Sequence, residues 1–366
     1  MPAKQTNLDV DALLRTLAER KGSDLHLKAG SAPLMRVDGV LARVEGMDPL
    51  TPADTEEAAK KIMPAERWAR FEGQREADLA YGLSKVGRFR VNVFRQRGSI
   101  SLVIRLVRIG SPSAEELGLP LIVEDLADLP RGLVLVTGPT GSGKTTTLSA
   151  MIDRINATRP CHIVTIEDPI EVLHPDRMAA VNQREVGVDV DSFQDAMRSA
   201  MRQDPDVIFI GEMRDTETVW AALAAAETGH LVLSTLHTID ATETVNRIVD
   251  FFPPFQQQQV RVTLGGALRA ILCQRLVPGA DGGRIPAVEV CINTGRVAER
   301  IMDPTRTGEI QEVVREGDYY GMQTFDQALL DLVQGGKVGA ADAVEASSSR
   351  HDFELMLQQA GIALSV

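Results

Sequence analysis

The sequence predicts an α/β protein in two parts: a mixed α/β module over residues 1–109, then an α/β domain with a doubly wound, mainly parallel sheet and a helical C-terminal part over residues 123–366. Three observations predict it. The length, 366 residues, suits two or three domains at roughly 150 residues each. The runs Leu133–Val136, Ile163–Ile166, Val207–Ile210 and Leu231–Ser234 are short, continuously apolar and separated by helical segments, the pattern of strands covered on both faces. The first hundred residues instead alternate apolar and polar positions in short strand-like segments.

In chain order, Asn7 to Arg20 reads as a helix, with Leu8, Val10, Leu13, Leu14 and Leu17 near helical spacing. Asp24 to Leu27, Leu34 to Val37 and Val40 to Val44 read as strands, the last two joined by an Asp38-Gly39 hairpin signal. Pro52 to Phe71 reads as one helix opened by Thr51 as N-cap with Pro52 at the first helical position. Asp78 to Tyr81, Gly87 to Gln96 and Ser99 to Arg108 alternate as strands. Gly110 to Pro120 concentrates Gly, Pro and Ser and predicts an interdomain linker, bounded at 110–122. Phe255 to Arg275, Met322 to Gly335 and Ala340 to Gln359 read as helices.

Composition excludes several classes. With 39 basic and 51 acidic residues the net charge is −12. That balance opposes a nucleic-acid binder, which must neutralise phosphates, and to a lesser degree opposes docking on anionic lipid. No apolar stretch approaches the roughly 20 residues of a transmembrane span, and Met1 to Asp11 holds no signal-peptide apolar region. Cys161, Cys273 and Cys291 lie far apart with no CxxC pair. A disulfide framework and a zinc site are therefore excluded, and a reducing, cytoplasmic setting is expected.

Gly138-Pro139-Thr140-Gly141-Ser142-Gly143-Lys144-Thr145 fits GxxxxGK[ST], after a predicted strand and before a helical run beginning at Thr146. Such a loop turns successive N–H groups toward the α- and β-phosphates, and the helix N-terminus adds its positive end. Lys144 reaches the β- and γ-phosphate oxygens, and the Thr145 hydroxyl ligates Mg²⁺. An ATP-type triphosphate and Mg²⁺ are the expected ligands, with the whole loop and Thr146 as binding residues.

The strand Val207 to Ile210 ends in Gly211-Glu212, so Gly211 stands where a Walker-B strand usually carries its Asp. Glu212 remains at the strand's carboxyl end, where open α/β sheets bind ligands. It is assigned as general base or water-orienting residue. Glu167 or Asp168, ending Thr165 to Ile166, reaches the same rim; Glu167 is taken to hold Mg²⁺ through water, and Glu171 is read as structural or interfacial. His230 and His237 flank the strand 231–236 and lie near its opposite ends, which excludes a single metal site. His237, at the carboxyl end, is assigned as a γ-phosphate sensor, and His230 as a site residue through contact with acidic strand ends. His26, His162, His174 and His351 are read as structural.

The blocks GPTGSGKTTT (138–147), TIEDPIE (165–171), RQDPDVIFIGEMRD (202–215) and TGHLVLSTLHT (228–238) resemble the Walker A, Asp box, Walker B and His box of the secretion ATPase superfamily. Within it the chain resembles the type IV pilus retraction ATPases, the PilT/PilU family. The resemblance runs nearly end to end: Asp24 to Leu27, Gly30 to Gly39 and Gly87 to Asn92 match the family's PAS-like N-terminal domain, and Gln274 to Pro278 match a later segment. It implies a RecA-like P-loop ATPase domain in a homo-hexamer, with ATP bound between subunits. Each site would be completed by a neighbour's arginines at the positions of Arg88, Arg90 and Arg105, since a guanidinium stabilises charge developing on the γ-phosphoryl oxygens. It also implies a motor acting on an inner-membrane platform protein at the inner face of the cytoplasmic membrane, with a paralogous ATPase as a further partner, to drive pilus retraction and twitching motility.

Three stretches depart from the retraction pattern. Thr294 to Met302 keeps the family's AIRNLIRE-like signature only loosely, while Arg184 to Phe193 and Gly321 to Asp326 look closer to the PilU paralogue. A PilU-like accessory role, a pilus assembly or secretion ATPase, and a non-motor nucleotide-dependent ring are the other readings. Assembly relatives carry extra N-terminal domains and a tetracysteine zinc insertion, against three cysteines here. Glu212 opposes the inert ring, and the acidic charge opposes a DNA translocase.

Overall fold

Two large sheets, one of six strands and one of seven, organise residues 8–363, which the computed structural model describes. The chain divides into two compact units, the first ending at Ile109 and the second starting at Gly110.

In the first unit, helix α1 (Val10–Glu19) is capped by Asp9, whose carboxylate accepts the Ala12 N–H at 3.2 Å. It buries Val10, Leu13, Leu14 and Leu17, the face its spacing predicts. Asn7, the expected start, lies outside the described residues. Strands β1 (Asp24–Lys28), β2 (Leu34–Val37) and β3 (Val40–Arg43) follow, with Asp38 and Gly39 at φ +48° and +79° in the β2–β3 turn. The single helix expected over Pro52 to Phe71 is instead two, α2 (Pro52–Ile62) and α3 (Ala65–Gln74). Pro64 separates them: it has no N–H to donate, and it forces the preceding Met63 out of the helical region, to ψ +130°. Strands β4 (Glu76–Leu83), β5 (Gly87–Gln96) and β6 (Ser99–Leu106) complete an antiparallel sheet of order β3-β2-β1-β6-β5-β4, and β7 (Arg108–Ile109) ends the unit. Phe71, Phe89, Leu25, Leu102 and Ile104 pack in its core.

The second unit opens on 110–121, which is not a free linker: Ala114 and Leu119 are buried with the core around Val134 and Leu148. After α4 (Ile122–Ala127) come β8 (Gly132–Thr137), α5 (Lys144–Thr158), β9 (His162–Glu167), β10 (Val172–Leu173) and β11 (Ala180–Glu185). Next are α6 (Phe193–Ala200), β12 (Val207–Ile210), α7 (Thr216–Glu227), β13 (Leu231–Leu236), α8 (Ala241–Asp250) and α9 (Pro254–Ala267). The sheet order is β11-β9-β12-β13-β8-β14-β15, with β14 (Leu268–Pro278) parallel to β8 and β15 (Arg284–Ile292) antiparallel to β14. Every residue of β8, β12 and β13 is buried, as continuous apolar runs require.

Three further expectations change here. The helix expected over Phe255 to Arg275 stops at Ala267, and the apolar run after it is strand β14, because an open edge of the parallel sheet at β8 pairs it. A short apolar run does not by itself distinguish helix from strand. Beyond β15, helices α10 (Gly295–Met302), α11 (Ile310–Arg315) and α12 (Phe325–Gln334) follow. The helix expected over Met322 to Gly335 thus starts later, at a capping box between Thr324 and Gln327. The helix expected over Ala340 to Gln359 is two, α13 (Ala340–Ala346) and α14 (Arg350–Gln359), since Ser349 caps a new helix rather than continuing the old one. Among the described residues no helix is long and apolar enough to cross a membrane.

Candidate nucleotide-binding site

Strand β8 delivers the chain to Gly138, where the loop to α5 begins. Two glycines there are steric requirements. At Gly138, φ is +138° and a Cβ would press into the Gln274 carbonyl oxygen; at Gly143, φ is +92° and a Cβ would stand 2.8 Å from the Gln274 side-chain nitrogen. Gln274, on β14, therefore braces the loop, and its Oε1 also accepts the Thr147 hydroxyl at 2.7 Å. Ser142 is buried and its hydroxyl makes no hydrogen bond. The Lys144 ammonium donates to the carbonyl oxygens of Gly138 (2.8 Å) and Pro139 (3.0 Å). Burial pulls that ammonium below the ordinary lysine range, against the attraction of Glu212 and Glu171. It is a partly desolvated cation in a ring of backbone dipoles, a setting that favours an anion.

Thr140, Gly141, Gly143, Lys144, Thr145 and Thr146 line one side of a cavity of about 560 Å³. The carboxyl ends of three parallel strands line the other. Glu167 closes β9, Glu212 follows Gly211 beyond β12, and His237 follows β13. Glu212 is held from two sides: its Oε1 lies 3.1 Å from His237 Nε2, and its Oε2 accepts from the Arg214 guanidinium at 2.7 Å. The Thr235 hydroxyl donates to the Gly211 carbonyl at 2.6 Å, locking the turn that presents Glu212.

Glu167 is 5% exposed. It accepts from the Thr165 hydroxyl at 2.7 Å and the Gln183 amide at 3.0 Å. Burial raises its carboxyl above the ordinary range despite those donors, so a nearby cation would favour its charged form. Glu167 and the Thr145 hydroxyl offer only oxygen donors. No cluster of three His, Cys, Asp or Glu able to enclose a metal occurs among the described residues. A few protein oxygens completed by substrate phosphates and water is the setting that Mg²⁺ accepts, so these residues fit that ion.

The placements of the expected residues divide. The loop, Lys144, Thr145, Thr146, Glu167, Glu212 and His237 come together. His230 does not join them: it precedes β13 at the amino end, with Nδ1 3.0 Å from the Ala225 carbonyl oxygen. A fully extended six-residue strand spans about 20 Å, so one chain cannot bring both histidines to one rim. Arg88, Arg90 and Arg105 lie in the first unit, where Arg90 faces Arg105 across β5 and β6. Arg105 Nε donates to the buried Asp24 at 2.7 Å. Sequence reasoning missed Arg214, Arg284 and Gln183. Arg214 stood in the quoted 202–215 block two positions after Glu212; Gln183 sits on β11, a strand without an apolar run to announce it, and Arg284 is the first residue of β15, a largely apolar strand that the sequence reading passes over.

Residues 7–317 match the family described as Type II/IV secretion system protein. This chain belongs to that family. Among its relatives, the type IV pilus retraction ATPase PilT of Pseudomonas aeruginosa is 42% identical over 94% of this chain and 100% of the relative. The type IV pilus ATPase PilU of the same organism is also 42% identical, over 96% of this chain and 92% of the relative. A crystal structure of the pilus retraction motor PilT with bound ADP superposes with a TM-score of 0.88 at 44% identity, covering 96% of this chain and all of that one. For this member of the secretion-system family, the site just described therefore falls within a fold whose relative is seen with a nucleoside diphosphate.

Proposed function

We propose that this chain is an ATPase of the pilus-retraction kind, hydrolysing ATP to drive type IV pilus retraction. The observation that carries the reading is the convergence of the phosphate loop, Glu167, Glu212 and His237 on one cavity. The loop N–H groups and Lys144 bind the phosphates, Lys144 exchanging its carbonyl partners for phosphate oxygens. Thr145 and Glu167 would hold Mg²⁺, which when bound would supply positive charge to offset that of the phosphates. Glu212 orients a water whose oxygen attacks the γ-phosphorus as the bond to the β–γ bridging oxygen breaks. ADP leaves, and the water's proton passes to the carboxylate or the phosphate. His237, hydrogen-bonded to Glu212, reports the γ-phosphate to that carboxylate.

The first unit serves as the PAS-like domain, and its Arg88, Arg90 and Arg105 complete a neighbour's site in a homo-hexamer. Such a head-to-tail contact closes into a ring when its rotation permits. The ring works at the inner face of the cytoplasmic membrane against an inner-membrane platform protein. A PilU-like accessory role is the second reading, since the chain is 42% identical to PilU as it is to PilT.

Mixing two inactive variants tests the shared site. Glu212→Gln and the double variant Arg88→Ala/Arg90→Ala should each lose turnover. Mixed at equal amounts and allowed to reassemble, they should recover about a quarter of wild-type activity, the share of interfaces that pair two intact halves. No recovery beyond the sum of the separate variants would overturn a site built by two protomers.

A further inference from the structure

Glu167 does not hang free at the rim. Behind it runs a chain of side chains that the hydrolysis reading leaves unused. The Gln183 amide nitrogen donates to Glu167 Oε1 at 3.0 Å and to the Val172 carbonyl at 2.8 Å, while its oxygen accepts the His174 N–H at 2.8 Å. Gln183 thus has both ends engaged and a single orientation. The His174 ring is buried, and its Nδ1 lies 2.6 Å from Asp153 Oδ1. Asp153 sits on α5, the helix that begins at Lys144. Its other oxygen accepts the Ser111 N–H at 2.6 Å, at the second residue of the unit. The Gly110 N–H beside it donates to the Leu173 carbonyl at 2.8 Å. A buried His–Asp pair loses hydration on both partners, and that cost is recovered only with close geometry and satisfied neighbours. Here the geometry is close and both Asp153 oxygens are engaged, and the pair lies between the P-loop helix and the loop leading from Glu167.

We propose that Gln183, His174 and Asp153 form a positioning chain that fixes the Glu167 carboxylate for Mg²⁺–nucleotide binding and ties it to the first residues of the second unit. The proposal rests on the reading of Glu167 as the magnesium-side carboxylate. Residues behind a metal ligand set its orientation and charge, and their loss typically weakens the metal without abolishing the site. Gln183 supplies orientation and a hydrogen bond. His174 holds Gln183 through its backbone N–H and is itself held by Asp153, so displacement of the ring reaches Glu167 through one intervening residue.

The test measures the dissociation constant of a fluorescent ADP on the full chain, with and without Mg²⁺, and takes the ratio of the two values. Gln183 is half-buried, so Gln183→Leu should fold. It should lower the Mg²⁺-dependent ratio about 10-fold while the Mg²⁺-free affinity stays within about two-fold. His174→Ala should do the same, whereas His174→Asn, which keeps a donor where Nδ1 lies, should retain most of the ratio. If Glu167→Gln abolishes the ratio and Gln183→Leu leaves it intact, the positioning chain is wrong and the Glu167 assignment stands. If Glu167→Gln itself leaves the ratio unchanged, the assignment fails and the proposal falls with it. A Gln183→Leu protein that weakens Mg²⁺-free binding by the same factor has lost structure only, which also overturns the proposal.

Discussion

Strand β5 of the first unit turns Phe89, Val91 and Val93 into the core and leaves Arg88, Arg90 and Asn92 on the other face. Strands β12 and β13 of the second unit bury every residue, and their reactive groups, Glu212 and His237, come only after the last strand position. One sheet has helices packed over one face, the other is covered on both, and this decides where chemistry can stand. On a one-sided antiparallel sheet, function shares a strand with the core at every second residue. In a doubly covered parallel sheet, side chains along the strand are spent on packing, and function is confined to the carboxyl edge.

That contrast can be broken, most severely at the carboxyl edge. Glu212→Gln keeps the size and much of the hydrogen bonding of the side chain, so nucleotide binding should persist while steady-state turnover falls about 10²- to 10⁴-fold. A turnover near wild type would remove Glu212 from the reaction and leave the rim without its assigned base.

Next in size is a pair of neighbours on β5. Phe89 is fully buried, and Phe89→Ala should destabilise the first unit by about 3–5 kcal/mol in denaturant unfolding. Arg90→Ala, one position along on the exposed face, should leave stability within about 0.5 kcal/mol and lower ATP turnover. Equal loss of stability in both variants would show that the arginine face packs as a core.

The smallest expected effect sharpens the same face. Burial works to raise the Asp24 carboxyl, but the Ser23 hydroxyl and the Arg105 guanidinium outweigh it and hold the group below its ordinary value. A depressed folded value means the stabilisation is present above the unfolded value of about 3.8 and is lost as pH falls through the folded one. Wild type should therefore exceed Asp24→Asn in thermal stability near about pH 6, with the gap closing toward about pH 3. A gap independent of pH would assign the stabilisation to shape rather than charge.

Much of the site could be read before any coordinates. The phosphate loop, Glu167, Glu212 and His237 each begin within two residues of a strand end that an apolar run reveals, and strand ends carry the rim. The misplaced and missed residues have the opposite property. His230 flanks the same strand as His237, and strand direction within the sheet decides which of the two meets the cavity. Gln183 sits on the outer strand β11, whose polar sequence resembles a loop, and Arg284 opens the outer strand β15, where nothing local marks it for the cavity. In the fold, Pro64 and Ser349 divide helices that periodicity joins, and β14 becomes a strand because β8 offers it a hydrogen-bonding partner.

The order of elements, the acidic charge, the glycines of the phosphate loop and the carboxylates at strand ends are properties of the chain alone, because spacing along a strand or helix fixes local geometry. Tertiary structure decided which edge takes β14 and β15, and that Gln183, His174 and Asp153 stand in series behind Glu167. These are contacts between positions distant in sequence, 21 residues for Asp153 with His174 and 16 for Glu167 with Gln183, and far more for β8 with β14. The hydrogen bonds that make them form only once strands and helices have packed, so no local pattern of residue types encodes them.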